Sequence, residues 1–296
     1  MKDVIIVGAG CAGMTAALYS ARSGKSVLIF EKECIGGQIA SSPLVENYPG
    51  IHSMTGMEFA DTLFSQIIDL DVKLEIDEVV EIKNDNSIYL VKTSNQIYKA
   101  RSVVIATGTK HRTLGLDKEE TFRGRGVYYC AICDGALFKN KDVAVVGGGN
   151  TAITEAIYLS NFCKTVTIIH RSESFKADPI LLNKARKINN IKWILNTTLI
   201  RLNGTNQLNG LSLYNSKLNN ENDISVDGLF VAIGQIPQTK NFSNIIKTNS
   251  DGFFDVNEDC KTDLHNLFVA GDCRNKHLRQ LTTAISDGAN AATKIE

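Results

Sequence analysis

The opening stretch, MKDVIIVGAGCAGMTAALYSARSGKSVLIFEK, restricts the fold more than any other part of the chain. Residues 3–7, DVIIV, form a short apolar strand. Gly8-Ala9-Gly10-Cys11-Ala12-Gly13 follows as a glycine turn, MTAALYSARSG is helical with a stop at Gly24, and SVLIF is a second strand that ends at Glu31. Strand, GxGxxG, helix, strand and an acid eighteen residues past Gly13 make a complete dinucleotide-binding unit, where GxGxxG alone would be weak. The glycines permit a tight turn and let a pyrophosphate approach the backbone amides. The helix N-terminus offers the positive end of its dipole, and Glu31 can accept hydrogen bonds from a ribose.

The pattern recurs. From residue 142, DVAVV is a strand, Gly147-Gly148-Gly149-Asn150-Thr151-Ala152 is the turn, ITEAIYLSNF is a helix and TVTIIH is the next strand. Ala152 stands at the third glycine position, a permitted variant. This second unit ends in His170-Arg171 with no acid at that point. An acid favours a free ribose 2′-hydroxyl and an arginine favours a 2′-phosphate, so the chain is expected to hold two different nucleotides, with NADPH favoured over NADH at the second. Between the units, residues 57–70 read as a helix, and residues 72–105 alternate and are rich in β-branched residues, a strand-rich insertion returning to the parallel sheet. Near the end, FVAGDCR and RQLTTAISDGANAATKI read as strand, turn and helix, which would complete the first domain after the second. The crossings are expected within the turn-rich stretches Gly108 to Gly115 and Gly234 to Thr239. The expectation is an α/β protein of two Rossmann-like dinucleotide-binding domains, the second inserted in the first. Residues 1–111 and 242–296 would form one, and residues 112–241 the other.

A chain of 296 residues has room for two cores. Lysine plus arginine equals aspartate plus glutamate at 32 each, so the basic excess of a nucleic-acid binder is missing. The N-terminal apolar run is too short for a signal-peptide core or a membrane span, which suggests a cytoplasmic protein with no membrane association. The seven cysteines are scattered and odd in number, unlike a secreted disulfide framework. Cys34, Cys163, Cys260 and Cys273 are expected to be packing residues. Cys11 occupies a position in the first turn that is open to many small residues.

Cys130 and Cys133 stand apart in YCAICDGALF. A structural zinc site needs four ligands. No second CxxC exists, and the five histidines show no matching spacing, so no metal is expected. A permanent staple across two residues would constrain the unfolded chain little and would be out of place in a reducing compartment. A working dithiol explains more: one thiolate attacks a partner disulfide and the other resolves the mixed disulfide. Asp134 could move a proton for this chemistry, or it could be an ordinary cap or turn residue.

These motifs, together with GGQIA, VENYPG, ATGTKHR, FVAIGQIPQT and VAGDCRNKHLRQLTTAISDGANAA, resemble the low-molecular-weight, bacterial-type thioredoxin reductases from end to end. The resemblance implies a homodimer with one tightly held FAD per subunit, using NADPH to reduce thioredoxin. Gly8, Gly10 and Gly13, with Ala9 and Ala12, would hold the FAD pyrophosphate, and Glu31 with Lys32 its adenosine ribose. Gln38, Asn47, Thr107 and Gly108 would line the flavin side, Asp272 would bind the ribityl chain, and Arg279, Gln280 and Leu281 would approach the isoalloxazine. Gly147, Gly149, Asn150, Thr151 and Ala152, with His170, Arg171 and Lys176, would hold NADPH. Cys133 would face the flavin, Cys130 would attack thioredoxin, and Asp134 would be the general acid or base. The family is thought to rotate its domains between two states, with the hinge at the two crossings.

One motif departs from the family. The 2′-phosphate segment, usually HRRxxxR, here reads His170-Arg171-Ser172-Glu173-Ser174-Phe175-Lys176. Lysine can meet a phosphate as a point charge but lacks the arginine fork, and Glu173 adds a nearby negative charge. The expectation is NADPH use with weakened affinity or weakened preference over NADH. Rival readings keep the fold and change the electron path: an NADH- or ferredoxin-fed reductase, or a small-dithiol oxidase. A ferredoxin–NADP-type reductase would lack CxxC, and a non-enzymatic sensor would show no turnover.

Overall fold

The computed structural model describes residues 1–42 and 44–296. The chain divides into two compact units, Met1–Lys110 with Ile236–Glu296, and His111–Gln235. Both crossings lie inside the turn-rich stretches. The second falls at 235/236 instead of 241/242: Gln238 is bonded to Thr107 and Gly108, and Asn241 donates to the Val79 carbonyl, all in the first unit.

The first unit is built on Lys2–Val7, whose residues 4–7 are buried on both sheet faces. Such a strand is a continuous apolar run instead of an alternating one. It pairs in parallel with Val27–Glu31 on one side and Ile97–Ile105 on the other, and Lys73–Ile76 extends the sheet beyond Val27–Glu31. Ile97–Ile105 changes partners along its length. Residues 97–100 pair antiparallel with Ile88–Thr93, while residues 103–105 pair in parallel with Leu267–Val269. Val4 and Ile6 point to the face covered by helices Cys11–Arg22, Gly56–Ile68 and Leu281–Thr293. Ile5 and Val7 point to the other face, with Val79, Tyr89, Phe242 and Phe254. The helix expected at 57–70 therefore runs Gly56–Ile68, started by a capping box in which Thr55 and Glu58 satisfy each other's backbone amides. Gly288 lets the last helix lie against the first: a Cβ there would stand 2.3 Å from the Ala12 carbonyl oxygen.

The second unit has a five-stranded parallel sheet in the order Ile191–Ile194, Thr165–Ile169, Asp142–Val146, Gly228–Val231, Val127–Tyr128. Val143 and Val145 face a core shared with helix Asn150–Ser160. Ala144 and Val146 face a second core closed by an antiparallel three-stranded sheet, Thr197–Gly204, Leu208–Asn215 and Asn220–Ser225. Trp193 is partly buried and packs edge-on against Phe175. Four of the free cysteines, Cys11, Cys163, Cys260 and Cys273, are buried. Cys34 is not a packing residue: it is exposed, because the chain has left the sheet after Glu31 and turns over the surface there.

Candidate functional site

The first glycine turn is shaped by backbone contact. Gly8 has φ +106°, and a Cβ on it would stand 2.4 Å from the Ala106 carbonyl oxygen. A Cβ on Gly13 would stand 1.9 Å from the Gly8 carbonyl oxygen. At Gly10 the nearest atom to such a Cβ is 3.9 Å away, so that face is open. Gly10 is also the N-cap of helix Cys11–Arg22 and makes no side-chain cap bond. Glu31 accepts hydrogen bonds from the Ala9 amide (2.8 Å) and the Glu33 amide (2.8 Å), which ties the strand-end acid to the turn that it follows by motif. Lys32 lies 3.8 Å from Glu78 and 3.5 Å from Gln238. Ala12 is buried against Gly271 and Gly288.

The residues expected beside a flavin are brought together in this same unit. Gln38 donates to the Thr109 carbonyl (2.7 Å), Asn47 donates to Gln280 (3.2 Å), and the Thr107 hydroxyl donates to the Gln238 carbonyl (2.6 Å), whose own amide donates to Gly108. Arg279 donates to the Asp272 carbonyl (3.3 Å), and its guanidinium lies 4.0 Å from the centre of the Phe253 ring. Gln280 caps the helix that Leu281 begins, in a box with Thr283. Asp272 Oδ1 is buried and makes no hydrogen bond among the described residues. Lys276 approaches it at 3.3 Å as an ion pair, and burial raises the Asp272 carboxyl. A buried carboxylate whose near donor is an ion-paired lysine can still accept from a ligand hydroxyl, so these residues fit a flavin dinucleotide.

Sequence reasoning missed the ion cluster beneath this turn. Arg274, 2% exposed, donates to both oxygens of Asp287 (2.9 and 2.8 Å) and to Glu258 (2.8 Å). Asp287 also accepts from the Gly271 amide (2.9 Å) and from Lys276 (3.1 Å). Asp287 therefore holds the Gly271-Asp272 turn in place. The available signal was an acid on the buried stripe of a helix, with Gly288 and Ala291.

In the second unit, Gly147 and Ala152 pack together: a Cβ on Gly147 would stand 2.8 Å from that of Ala152. A Cβ on Gly149 would meet nothing within 4 Å, the same open face as at Gly10. Gly149 caps the helix that begins with Asn150-Thr151-Ala152, and Asn150 accepts from the Asp178 amide (2.7 Å). The HRSESFK segment folds back onto this turn. The Lys176 amide donates to the Gly148 carbonyl (2.9 Å), and His170 lies under Gly148 and stacks on Phe175 at 4.5 Å. Arg171 and Lys176 are exposed beside it. Glu173 is bound to Lys217 (2.6 Å) and Asn196 (3.3 Å), which together hold its carboxyl below the usual range, so its charge is matched by a lysine that the motif does not contain.

The dithiol lies in the same unit. Cys130 and Cys133 are joined as a disulfide with Cα atoms 5.3 Å apart, and both are half-buried. Cys130 is the N-cap of the single turn Ala131–Asp134, and its sulfur accepts from the Cys133 amide (3.2 Å). The preceding Tyr129 is fixed by a hydrogen bond to Glu119 (2.7 Å) and a ring contact with His111 at 5.0 Å. Asp134 stands at the N-cap position of the short helix Gly135–Phe138, but its side chain makes no capping bond there. It is buried, its Oδ1 has no hydrogen-bond partner among the described residues, and burial pushes its carboxyl up to about 7. An acid that titrates near neutrality in the residue next to Cys133 can give and take a proton. Among the described residues, no group of three or more His, Cys, Asp or Glu could hold a metal ion.

Comparison with known proteins agrees with this geometry. The family described as pyridine nucleotide-disulphide oxidoreductase matches residues 2–288. The thioredoxin reductase of Listeria monocytogenes is 40% identical over 99% of this chain and 92% of its own length. That of Bacillus subtilis is 38% identical over 99% and 93%. The crystal structure of thioredoxin reductase from Streptococcus pyogenes superposes with a TM-score of 0.95 at 38% identity, covering 100% of this chain and 97% of that one. The chain belongs to the pyridine nucleotide-disulphide oxidoreductase family. Within it, its full-length relatives include thioredoxin reductases of bacteria.

Proposed function

We propose that the protein is a thioredoxin-disulfide reductase that draws electrons from NADPH through FAD and delivers them through Cys130 and Cys133. The observation that carries the reading is the Cys130–Cys133 disulfide, seated beside a buried acid in a unit that also holds a complete nucleotide turn. Bound FAD supplies a two-electron carrier between nicotinamide and sulfur. The chain does the rest. Gly8, Gly10 and Gly13 admit the FAD pyrophosphate, Glu31 faces its adenosine ribose and Asp272 its ribityl chain. Gly149 and Asn150 receive the pyrophosphate of NADPH, with Arg171 and Lys176 beside its 2′-phosphate. The neutralisation of Glu173 by Lys217 supports NADPH over NADH despite the altered motif. The Cys130–Cys133 bond breaks as the two electrons arrive. A thiolate of the pair then attacks the disulfide of thioredoxin, the second sulfur closes the ring again, and Asp134 moves the proton. The protein is read as a cytoplasmic homodimer.

The test is anaerobic. The FAD-loaded protein is reduced with NADPH or NADH, thioredoxin is added, and flavin reoxidation is followed. NADPH is expected to give the higher kcat/KM. Cys130→Ser and Cys133→Ser should each leave nicotinamide able to reduce the flavin, yet lower thioredoxin turnover at least about a thousandfold. The variant that accumulates a mixed disulfide carries the attacking sulfur. Thioredoxin reduction at the wild-type rate by either variant would show that the dithiol is not the relay.

A further inference from the structure

Glu155 lies on the buried stripe of helix Asn150–Ser160, with Ala152, Ile153, Ala156 and Leu159. Its Oε1 accepts the Ala131 amide at 3.3 Å. Its Oε2 is buried and has no hydrogen-bond partner among the described residues, and Asp134 Oδ1 is in the same condition. Both acids are thus attached to one four-residue turn. Ala131 opens that turn and anchors Glu155, while Asp134 closes it immediately after Cys133.

Among the described residues, no cation compensates them. The charged side chains on the elements packed against this helix are Asp142, Lys184, Arg186 and Lys192. Asp142 is engaged by Lys164 at 2.9 Å, and the three cations are exposed. Burial acts on Asp134, and burial, the Ala131 amide and Asp134 act on Glu155. Asp134 in turn acts on the Tyr128 phenol, and the buried Cys163 thiol in the same core is pushed up to about 11 and stays neutral. Two buried carboxylates on one turn, with no cation beside them, are costly to ionise together.

We propose that Glu155 is a positioning residue for the dithiol: from its anchor on Ala131 it forms with Asp134 a buried acid pair that keeps one proton next to Cys133. Burial pushes both carboxyls up to about 7, with Asp134 adding to the rise at Glu155, so the two acids titrate in the same range, close to working pH. The proton balance then closes. When an enzyme thiolate attacks the partner disulfide, a sulfur–sulfur bond forms, the partner's bond breaks, and the departing partner thiolate takes the proton from the pair. When the remaining enzyme thiol attacks the mixed disulfide, its proton returns to the pair, the enzyme disulfide reforms, and the second partner thiolate takes a proton from water. The helix that receives the nicotinamide nucleotide at its first turn thus also carries, at its second, the companion of the relay's acid.

This proposal rests on the dithiol reading above, but its first measurement does not. The protonated-carboxyl infrared band of the oxidised, FAD-loaded protein is titrated without thioredoxin, for wild type, Glu155→Gln and Asp134→Asn. Wild type should keep a protonated buried carboxyl up to about pH 7, and each variant should lose it at lower pH. The second measurement is the pH profile of thioredoxin turnover. Its alkaline limb should move down by about one pH unit in Glu155→Gln, which lowers turnover at pH 8 up to about tenfold relative to pH 6. A Glu155→Gln profile lowered equally at every pH would make Glu155 a packing residue and overturn the proposal. So would a wild-type band already lost at pH 5, a result that stands even if the glutamine variant does not fold.

Discussion

Asp134 sets a pH dependence that runs against the usual carboxylate behaviour. Its folded-state value, about 7, lies above that of an unfolded aspartate. The native state therefore binds more protons than the unfolded chain between about pH 4 and pH 7, and stability falls as pH rises through that window. In Asp134→Asn, the loss of unfolding free energy between pH 5 and pH 8 should shrink by on the order of 1–2 kcal/mol, measured by denaturant titration at both pH values. The same variant should lose about a hundredfold or more in thioredoxin turnover, as expected for a missing general acid. Cys34 offers a simpler check. It is the exposed free thiol of the oxidised protein, so a small alkylating reagent should label it first, while Cys11, Cys163, Cys260 and Cys273 stay protected until unfolding. At this scale the sequence was readable where chemistry and spacing coincide, as at Cys130, Cys133 and Glu31. It misled at Cys34, because composition does not say on which side of a loop a thiol lies. Glu155 and Asp287 were readable in principle as acids on apolar stripes, but only the structure shows what each stripe faces.

The strand–turn–helix units were legible because their information is local: an apolar strand, glycines at fixed offsets and a helical stretch all fall within about thirty residues. The partner change of Ile97–Ile105 was not, because one neighbour, Ile88–Thr93, directly precedes it while the other, Leu267–Val269, returns only after the second unit, and pairing at that distance leaves no local trace. The contact between the first and last helices of this unit is also non-local, and Gly288 is its narrowest point. Gly288→Ala should push the two helices apart against the Ala12 backbone and destabilise the protein by roughly 1–3 kcal/mol, seen as a lower midpoint in denaturant. Because Leu281 and Gln280 start that helix, the variant should also retain less FAD after gel filtration than wild type. Full retention with unchanged stability would mean that the helix can shift freely.

The whole molecule combines a continuous unit with an interrupted one, and the returning segment of the interrupted unit is tied within itself by buried charge. Arg274, Asp287 and Lys276 are almost wholly buried, and removing one partner leaves the others uncompensated. Asp287→Ala should therefore cost about 3–5 kcal/mol in the first unit, and urea unfolding followed by near-ultraviolet dichroism would measure it. The strand Leu267–Val269 and the helix Leu281–Thr293, which close the first unit's sheet and core, lie beyond residue 235, where the second unit has already ended. On the ribosome, the segment made later thus owns a complete set of its own strands first. The segment made earliest must wait, its sheet one strand short, until residues 267–293 have emerged.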